Sequence, residues 1–323
     1  MLDDLTYRLV IIDDESTFYD DYVDAAREFL ENKGFLLEPE KQMDRLDQLE
    51  KIDVGKIDLF LADLMLGKGD VKGGQLFIEK IREKSLADIL FYSTDEKAIR
   101  NYKSSPEFDM QKVYFAIRDE NYDSIEDRMI ALLEESIKRA NTPMATRGAI
   151  LGCVAELDTL VKQKEDELLD GLEDEDKYKQ ILYKCIRIYY DSYKRQQKKR
   201  NDYFGNDFCG NMDKWENISR CRFNVNISDM IRNISITDSS KNLNVLQKTY
   251  EIINGKDETY ALLKKVGELL DARNILAHVE QEFTDGVYRF RGNAPDGYLE
   301  LTEEKCIELR KDIIQAYKCI ESL

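Results

Sequence analysis

Residues 57–62, Ile-Asp-Leu-Phe-Leu-Ala, run directly into Asp63, and this short apolar stretch closed by a carboxylate decides the fold. It is too short for an amphipathic helix and too uniformly apolar for a half-exposed strand. It reads as a strand buried on both faces. The same pattern recurs three times: RLVII (8–12) ends in Asp13-Asp14, ADILFY (87–92) in Ser93-Thr94, and KVYFAI (112–117) in Arg118. Between these runs the apolar period changes to that of a helix. Phe18, Tyr22, Ala25, Ala26 and Phe29 mark a helix over 18–33, and further helices are expected over 74–84 and 123–139. Short apolar strands alternating with helices predict a doubly wound α/β domain built on a parallel sheet.

In such a sheet the site lies beyond the carboxyl ends of the strands. The residues standing there are Asp13, Asp14, Asp63, Ser93 and Arg118. Three carboxylates converging from two strands repel one another unless a hard cation sits among them. Mg²⁺, which takes oxygen ligands and keeps waters, is the expected one. No Gly-x-Gly-x-x-Gly follows the first strand, which excludes the dinucleotide fingerprint. Charge bears on partners as well. The chain carries a net −17, of which residues 1–144 hold −13 (20 Lys+Arg against 33 Asp+Glu) and residues 145–323 only −4 (28 against 32). So acidic a first half would repel nucleic-acid phosphates.

An acidic pair, a single Asp, a hydroxyl and a cation, each following a strand in that order, resemble the receiver domain of two-component response regulators. The resemblance covers about residues 5–140. It implies a flavodoxin-like, five-stranded parallel sheet, with Asp63 as the residue phosphorylated by a sensor histidine kinase or phosphotransfer protein. It also implies that Asp13, Asp14, Asp63 and the backbone carbonyl of Met65 hold Mg²⁺. Ser93, Phe115 and Arg118 are then the groups that respond to the phosphate. Two features depart from the family pattern: Arg118-Asp119 stands where Lys-Pro is usual, and the loop after Asp63 (LMLGKGDVKGG) is long and glycine-bearing. Arg keeps the charge but differs from Lys in shape. A receiver that no longer accepts phosphate is the plain alternative. A stand-alone Mg²⁺ phosphatase with Asp13 as nucleophile is a weaker one, since Asp13-x-Glu15 fits that pattern loosely.

Residues 141–147, within the polar stretch ANTPMATR, read as a linker between a domain at 1–140 and a second at 148–323. The second half is helical by pattern: 148–169, 177–200, about 226–234, 239–254, 257–282 and 302–321. A stretch at 201–222, irregular or a short helix, and a hairpin or extended excursion at 285–301 interrupt it. Asp271-Ala272-Arg273-Asn274-Ile275-Leu276-Ala277-His278 then resembles the signature of HEPN domains, a helical family with many metal-independent ribonucleases whose sites form at a dimer interface. Arg273, Asn274 and His278 are the matching residues. The chemistry is coherent. Cleavage of RNA by its own 2′-hydroxyl needs a group titrating near neutrality and a cation for the developing phosphorane, which His and Arg supply. Asn274 and His278 share a helix face, whereas Arg273 lies about 140° from His278, so one chain presents them on a wide face, and a dimer of the kind the resemblance implies would gather two His and two Arg in one cleft. The plain reading is a helix-end histidine in a structural hydrogen bond. Lys194, Arg195, Lys198, Lys199 and Arg200, preceded by Tyr189, Tyr190 and Tyr193, are weaker RNA-binding candidates, as are Arg289 and Arg291. A solvated helix end accounts for the basic run equally well.

Two functions from different classes follow: a phosphorylation-controlled HEPN ribonuclease, in stress or phage defence, and a phosphorylation-controlled dimerising adaptor that binds a protein or RNA partner without cutting. A DNA-binding regulator is disfavoured, because the second half has no helix-turn-helix pattern and is not basic. Six cysteines at 153, 185, 209, 221, 306 and 319 form no Cys-x-x-Cys pair, and His278 is the only histidine, so no zinc pattern arises. Reduced thiols, no spanning apolar run and no secretory signal at MLDDLTYRLV lead to the expectation of a cytoplasmic protein without a membrane partner.

Overall fold

The computed structural model describes residues 2–14, 19–39, 42–44, 46–64, 78–104, 111–118, 123–140, 142–204, 239–285, 287–292 and 297–323. The chain divides into two compact units, Met1–Ala149 with Glu303–Lys311, and Ile150–Thr302 with Asp312–Leu323.

The first unit is a doubly wound α/β fold. Strands β1 (Thr6–Ile12), β2 (Leu36–Pro39), β3 (Leu59–Asp63), β4 (Asp88–Ser93) and β5 (Val113–Ile117) form an all-parallel sheet in the order β2-β1-β3-β4-β5. The strands deliver alternate residues to the two faces. Val10, Ile12, Phe60, Ala62, Ile89, Phe91 and Val113 join Ile78, Ile81, Ile99 and Tyr102 in one core. Leu9, Ile11, Leu61, Leu90 and Tyr92 are turned to the opposite face and are equally buried. There the ring of Tyr22, from helix α1 (Tyr19–Asn32), lies 6.4 Å from that of Tyr92. Helices α2 (Glu96–Lys103) and α3 (Asp123–Ala140) follow β4 and β5. The register decides what the sheet presents. Ile12 pairs with Ala62, Asp63 with Tyr92, and Ser93 with Ile117, so all four site-bearing strands end level.

Strand β2, Leu-Leu-Glu-Pro, was absent from the apolar runs because it is an edge strand only four residues long. Helix α2 was missed too. Its eight residues are short, and Asp95 starts it by accepting from the amides of Lys97 and Ala98 at 2.8 and 3.2 Å. Helix α4 (Pro143–Asp170) begins within the expected linker. Pro143 is tolerated at the first helical position, where its missing N–H has no partner to lose. Thr142 caps the turn, its Oγ1 accepting from the Ala145 amide at 3.2 Å.

The last helix, α8 (Glu303–Glu321), contributes its first half to this unit. Arg310 is fully buried there, with its guanidinium 4.6 Å from the Phe35 ring centroid. Its Nε and Nη2 donate to the Lys33 carbonyl at 3.2 and 2.9 Å, and its Nη1 donates to Thr146 Oγ1 at 3.2 Å. Gly34 makes this approach possible. Its φ of 76° turns the chain out of α1, and a Cβ there would lie 3.0 Å from both Arg310 Cβ and the Ile307 carbonyl.

The second unit is helical with a small sheet. It contains most of α4, helix α5 (Glu175–Phe204), helix α6 (Ser239–Asn254), helix α7 (Glu258–His278) and the end of α8. Leu169, Ile181, Cys185, Tyr189 and Val245 form one of its cores. The helix expected over 257–282 stops at His278. The excursion is larger than expected: β6 (Gln281–Thr284), β7 (Val287–Arg291) and β8 (Tyr298–Leu301) make a three-stranded antiparallel sheet. Helix α5 runs on to Phe204, into the stretch expected to be irregular at 201–222; the remainder of that stretch and the expected helix at 226–234 lie outside the described residues. Cys153, Cys185, Cys306 and Cys319 are buried and outside any disulfide. Among the described residues, no helix is long and apolar enough to cross a membrane.

Candidate functional site

Beyond the carboxyl edge of the parallel sheet, one ligand oxygen each from Asp13, Asp14 and Asp63 lies within 4.8 Å of the others. The backbone holds them there. Asp13 N donates to the Met43 carbonyl at 2.9 Å and Met43 N returns a bond to Ile11 at 3.0 Å, while Gln42 Nε2 donates to the Asp13 carbonyl at 2.8 Å. These contacts tie the segment after β2 to the end of β1. Leu64 N donates to the Tyr92 carbonyl at 2.8 Å, which extends the β3–β4 ladder past Asp63.

The three carboxylates are not equivalent. Asp13 is buried, Asp63 half-buried and Asp14 exposed. A buried carboxylate next to two others requires donors. Asp13 accepts a hydrogen bond on Oδ2 from the hydroxyl of Tyr92, and Arg118 Nη1 forms an ion pair with the same oxygen at 3.7 Å. Arg118 is itself buried, its N–H donating to the Ser93 carbonyl at 2.9 Å and its guanidinium standing 5.8 Å from the Tyr92 ring centroid. Burial and the nearby negative charge of Asp13 and Asp63 push the Tyr92 phenol far above its ordinary range, so it stays a donor.

Ser93 is buried beside this cluster, its Oγ accepting from the Asp95 amide at 3.1 Å. Phe115 lies half-buried against the sheet's other face, its ring 6.0 Å from Phe91 and 5.9 Å from Tyr102, with Lys103 Nζ 5.3 Å from its centroid. Asp13, Asp14, Asp63, Ser93 and Arg118 are thus brought to one edge, and Phe115 sits on the strand that ends at Arg118. Met65 lies outside the described residues. Sequence reasoning missed Tyr92 and Gln42. Tyr92 looked like the last apolar residue of a strand, and only its hydroxyl distinguishes it.

Among the described residues the donor set is three carboxylates, which suits a hard divalent cation.

In the second unit, Arg273, Asn274 and His278 occupy the last turns of α7. Asn274 and His278 are exposed and Arg273 is half-buried, its Nη1 donating to Asn274 Oδ1 at 2.9 Å. Of the weaker candidates, Arg289 is paired with Glu300 at 2.7 Å, and Arg291 faces Tyr298 across β7 and β8. Lys194 lies over the Tyr190 ring at 4.9 Å, and Arg195 Nε bonds the Asp191 carbonyl at 3.3 Å. The side chains of Lys198, Lys199 and Arg200 lie outside the described residues.

A comparison of the chain with models of protein families, with curated proteins and with solved structures finds no match.

Proposed function

We propose that the chain is a response regulator whose first unit is a receiver phosphorylated on Asp63. The observation that carries the reading is the convergence of Asp13, Asp14 and Asp63 within 4.8 Å, beside buried Ser93 and Arg118, at the carboxyl edge of a parallel sheet. Asp13, Asp14 and Asp63 would hold Mg²⁺, which neutralises negative charge during phosphoryl transfer. Asp63 supplies the nucleophilic oxygen. An O–P bond forms to that oxygen as the N–P bond of a phosphohistidine on the kinase breaks, and the released imidazole nitrogen takes up a proton from solvent. Arg118 supplies the fixed cation for the oxygens of the new acylphosphate, and Ser93 the hydroxyl donor.

The second unit is the effector. At the end of α7, Asn274 and His278 are exposed beside half-buried Arg273 and are accessible to a partner. We propose a HEPN-type ribonuclease site completed by pairing of two copies, with His278 as the proton-transfer group. A non-cutting adaptor using the same surface is the alternative.

Intact mass measurement after incubation with Mg²⁺ and acetyl phosphate tests the first part. A single acid-stable, base-labile phosphoryl adduct that maps to Asp63 and vanishes in Asp63→Asn is expected; no adduct on the wild type ends the receiver reading. RNA cleavage by wild type and by His278→Ala tests the second, and equal cleavage by both removes the ribonuclease.

A further inference from the structure

Tyr92 is the last full residue of β4 before Ser93, and the strand register sets it directly across from Asp63. It is completely buried, and its ring meets that of Tyr22 at 6.4 Å on one side and the Arg118 guanidinium at 5.8 Å on the other. An aliphatic residue would fill that space without introducing a polar atom into the core. A buried tyrosine hydroxyl is tolerated when it finds a partner. Here the partner is Asp13 Oδ2, the oxygen that Arg118 Nη1 also approaches, at 3.7 Å. One oxygen of the buried carboxylate is therefore held from two strand ends, by a hydrogen bond from a neutral hydroxyl and by an ion pair with a cation. That anchorage restrains rotation of the carboxylate relative to Asp14 and Asp63, whose oxygens stand within 4.8 Å of it.

We infer that Tyr92 is a positioning residue for divalent-cation binding: its hydroxyl fixes the orientation of Asp13 and so preorganises the Asp13–Asp14–Asp63 cluster for Mg²⁺. The inference rests on the proposal that this cluster holds Mg²⁺. Hydrogen bonds that orient metal ligands typically raise metal affinity by about 10- to 100-fold. Tyr92 donates a hydrogen bond to Asp13 Oδ2, whereas Arg118 Nη1 stands 3.7 Å from that oxygen and serves the phosphoryl oxygens in the proposed reaction.

The test is Mg²⁺ titration of the full chain by calorimetry, comparing wild type, Tyr92→Phe and Asp13→Asn well below their melting temperatures. Phe keeps the ring and removes only the hydroxyl. The expected result is a Kd for Mg²⁺ raised at least roughly 10-fold in Tyr92→Phe, with the far-UV circular dichroism unchanged. If the hydroxyl served stability alone, Tyr92→Phe would melt earlier yet bind Mg²⁺ within about twofold of wild type, and that outcome overturns the inference. No Mg²⁺ binding by wild type at all would instead bring down the metal-site reading itself, so the two failures are distinguishable. Should Tyr92→Phe not fold, ¹³C-labelled tyrosine in the wild type provides the readout. The Cζ resonance of Tyr92 is expected to move with the same midpoint as the calorimetric titration, and a stationary resonance refutes the role.

Discussion

Replacing Arg310 with alanine tests whether the start of α8 is an integral part of the α/β unit. The substitution removes two hydrogen bonds to the Lys33 carbonyl, at 3.2 and 2.9 Å, and one to Thr146 Oγ1, at 3.2 Å. It also removes the stacking of a cation on Phe35 at 4.6 Å. A hydrogen bond from a charged donor contributes about 1.5–3 kcal/mol. The two bonds to one carbonyl count as a single good one, and the longer Thr146 bond lies at the low end. The desolvated cation–π contact adds about 2 kcal/mol, so the gross loss is about 5 kcal/mol. Against it stands the relief of desolvating a guanidinium, a cost of several kcal/mol, which also holds the Arg310 pKa below its ordinary value. The net expectation is a destabilisation of about 2–4 kcal/mol, with Arg310→Met losing less because its chain still covers Phe35. Urea unfolding followed by circular dichroism measures the loss, and amide exchange at Phe35, whose N–H bonds Leu30 at 2.9 Å, locates it. A change below about 0.5 kcal/mol, the scale of an ordinary surface substitution, with Phe35 exchange unaltered, would refute the reasoning.

Four further outcomes are expected. Gly34→Ala forces a side chain into left-handed backbone and onto atoms 3.0 Å away; it should cost at least about 1–2 kcal/mol by the same urea measurement. Glu165 is buried and its carboxyl is pushed up to about 8 by desolvation, against a bond from Thr249 at 2.6 Å. Its folded-state pKa exceeds its unfolded one, so stability falls as pH rises from about 4.5 through 8, by about 1.4 kcal/mol per unit of difference. Glu165→Gln should flatten that slope in unfolding curves between pH 5 and 8.5, and an unchanged slope contradicts the assignment. Mg²⁺ at about 100 times its Kd should stabilise the wild type by about 2.7 kcal/mol, seen as a raised melting temperature that Asp63→Asn largely loses. Arg289→Ala breaks only a surface pair with Glu300, at 2.7 Å, and should shift the melting curve by no more than about 1 kcal/mol.

What the sequence alone determined is whatever follows from local pattern. Four strands declared themselves because a parallel sheet buries both faces and demands unbroken apolar runs. Asp13, Asp63, Ser93 and Arg118 declared themselves because they end those runs. The end of α4 at Asp170 and all of α6 were equally legible from spacing. The tertiary structure alone decided what depends on residues distant in the chain. Strand β2 exists because Leu36–Pro39 pairs with β1, not because four residues carry a strand period. Tyr92 becomes part of the acidic cluster only when β4 lies level with β3 and its hydroxyl meets a carboxylate 79 positions away. Arg310, a cation among the buried apolar positions Cys306, Leu309 and Ile313 of a terminal helix, lies against a carbonyl 277 positions away. Periodicity records which face of an element is apolar; it carries no record of which distant polar atom a buried donor will meet, because that is settled by packing of the assembled chain.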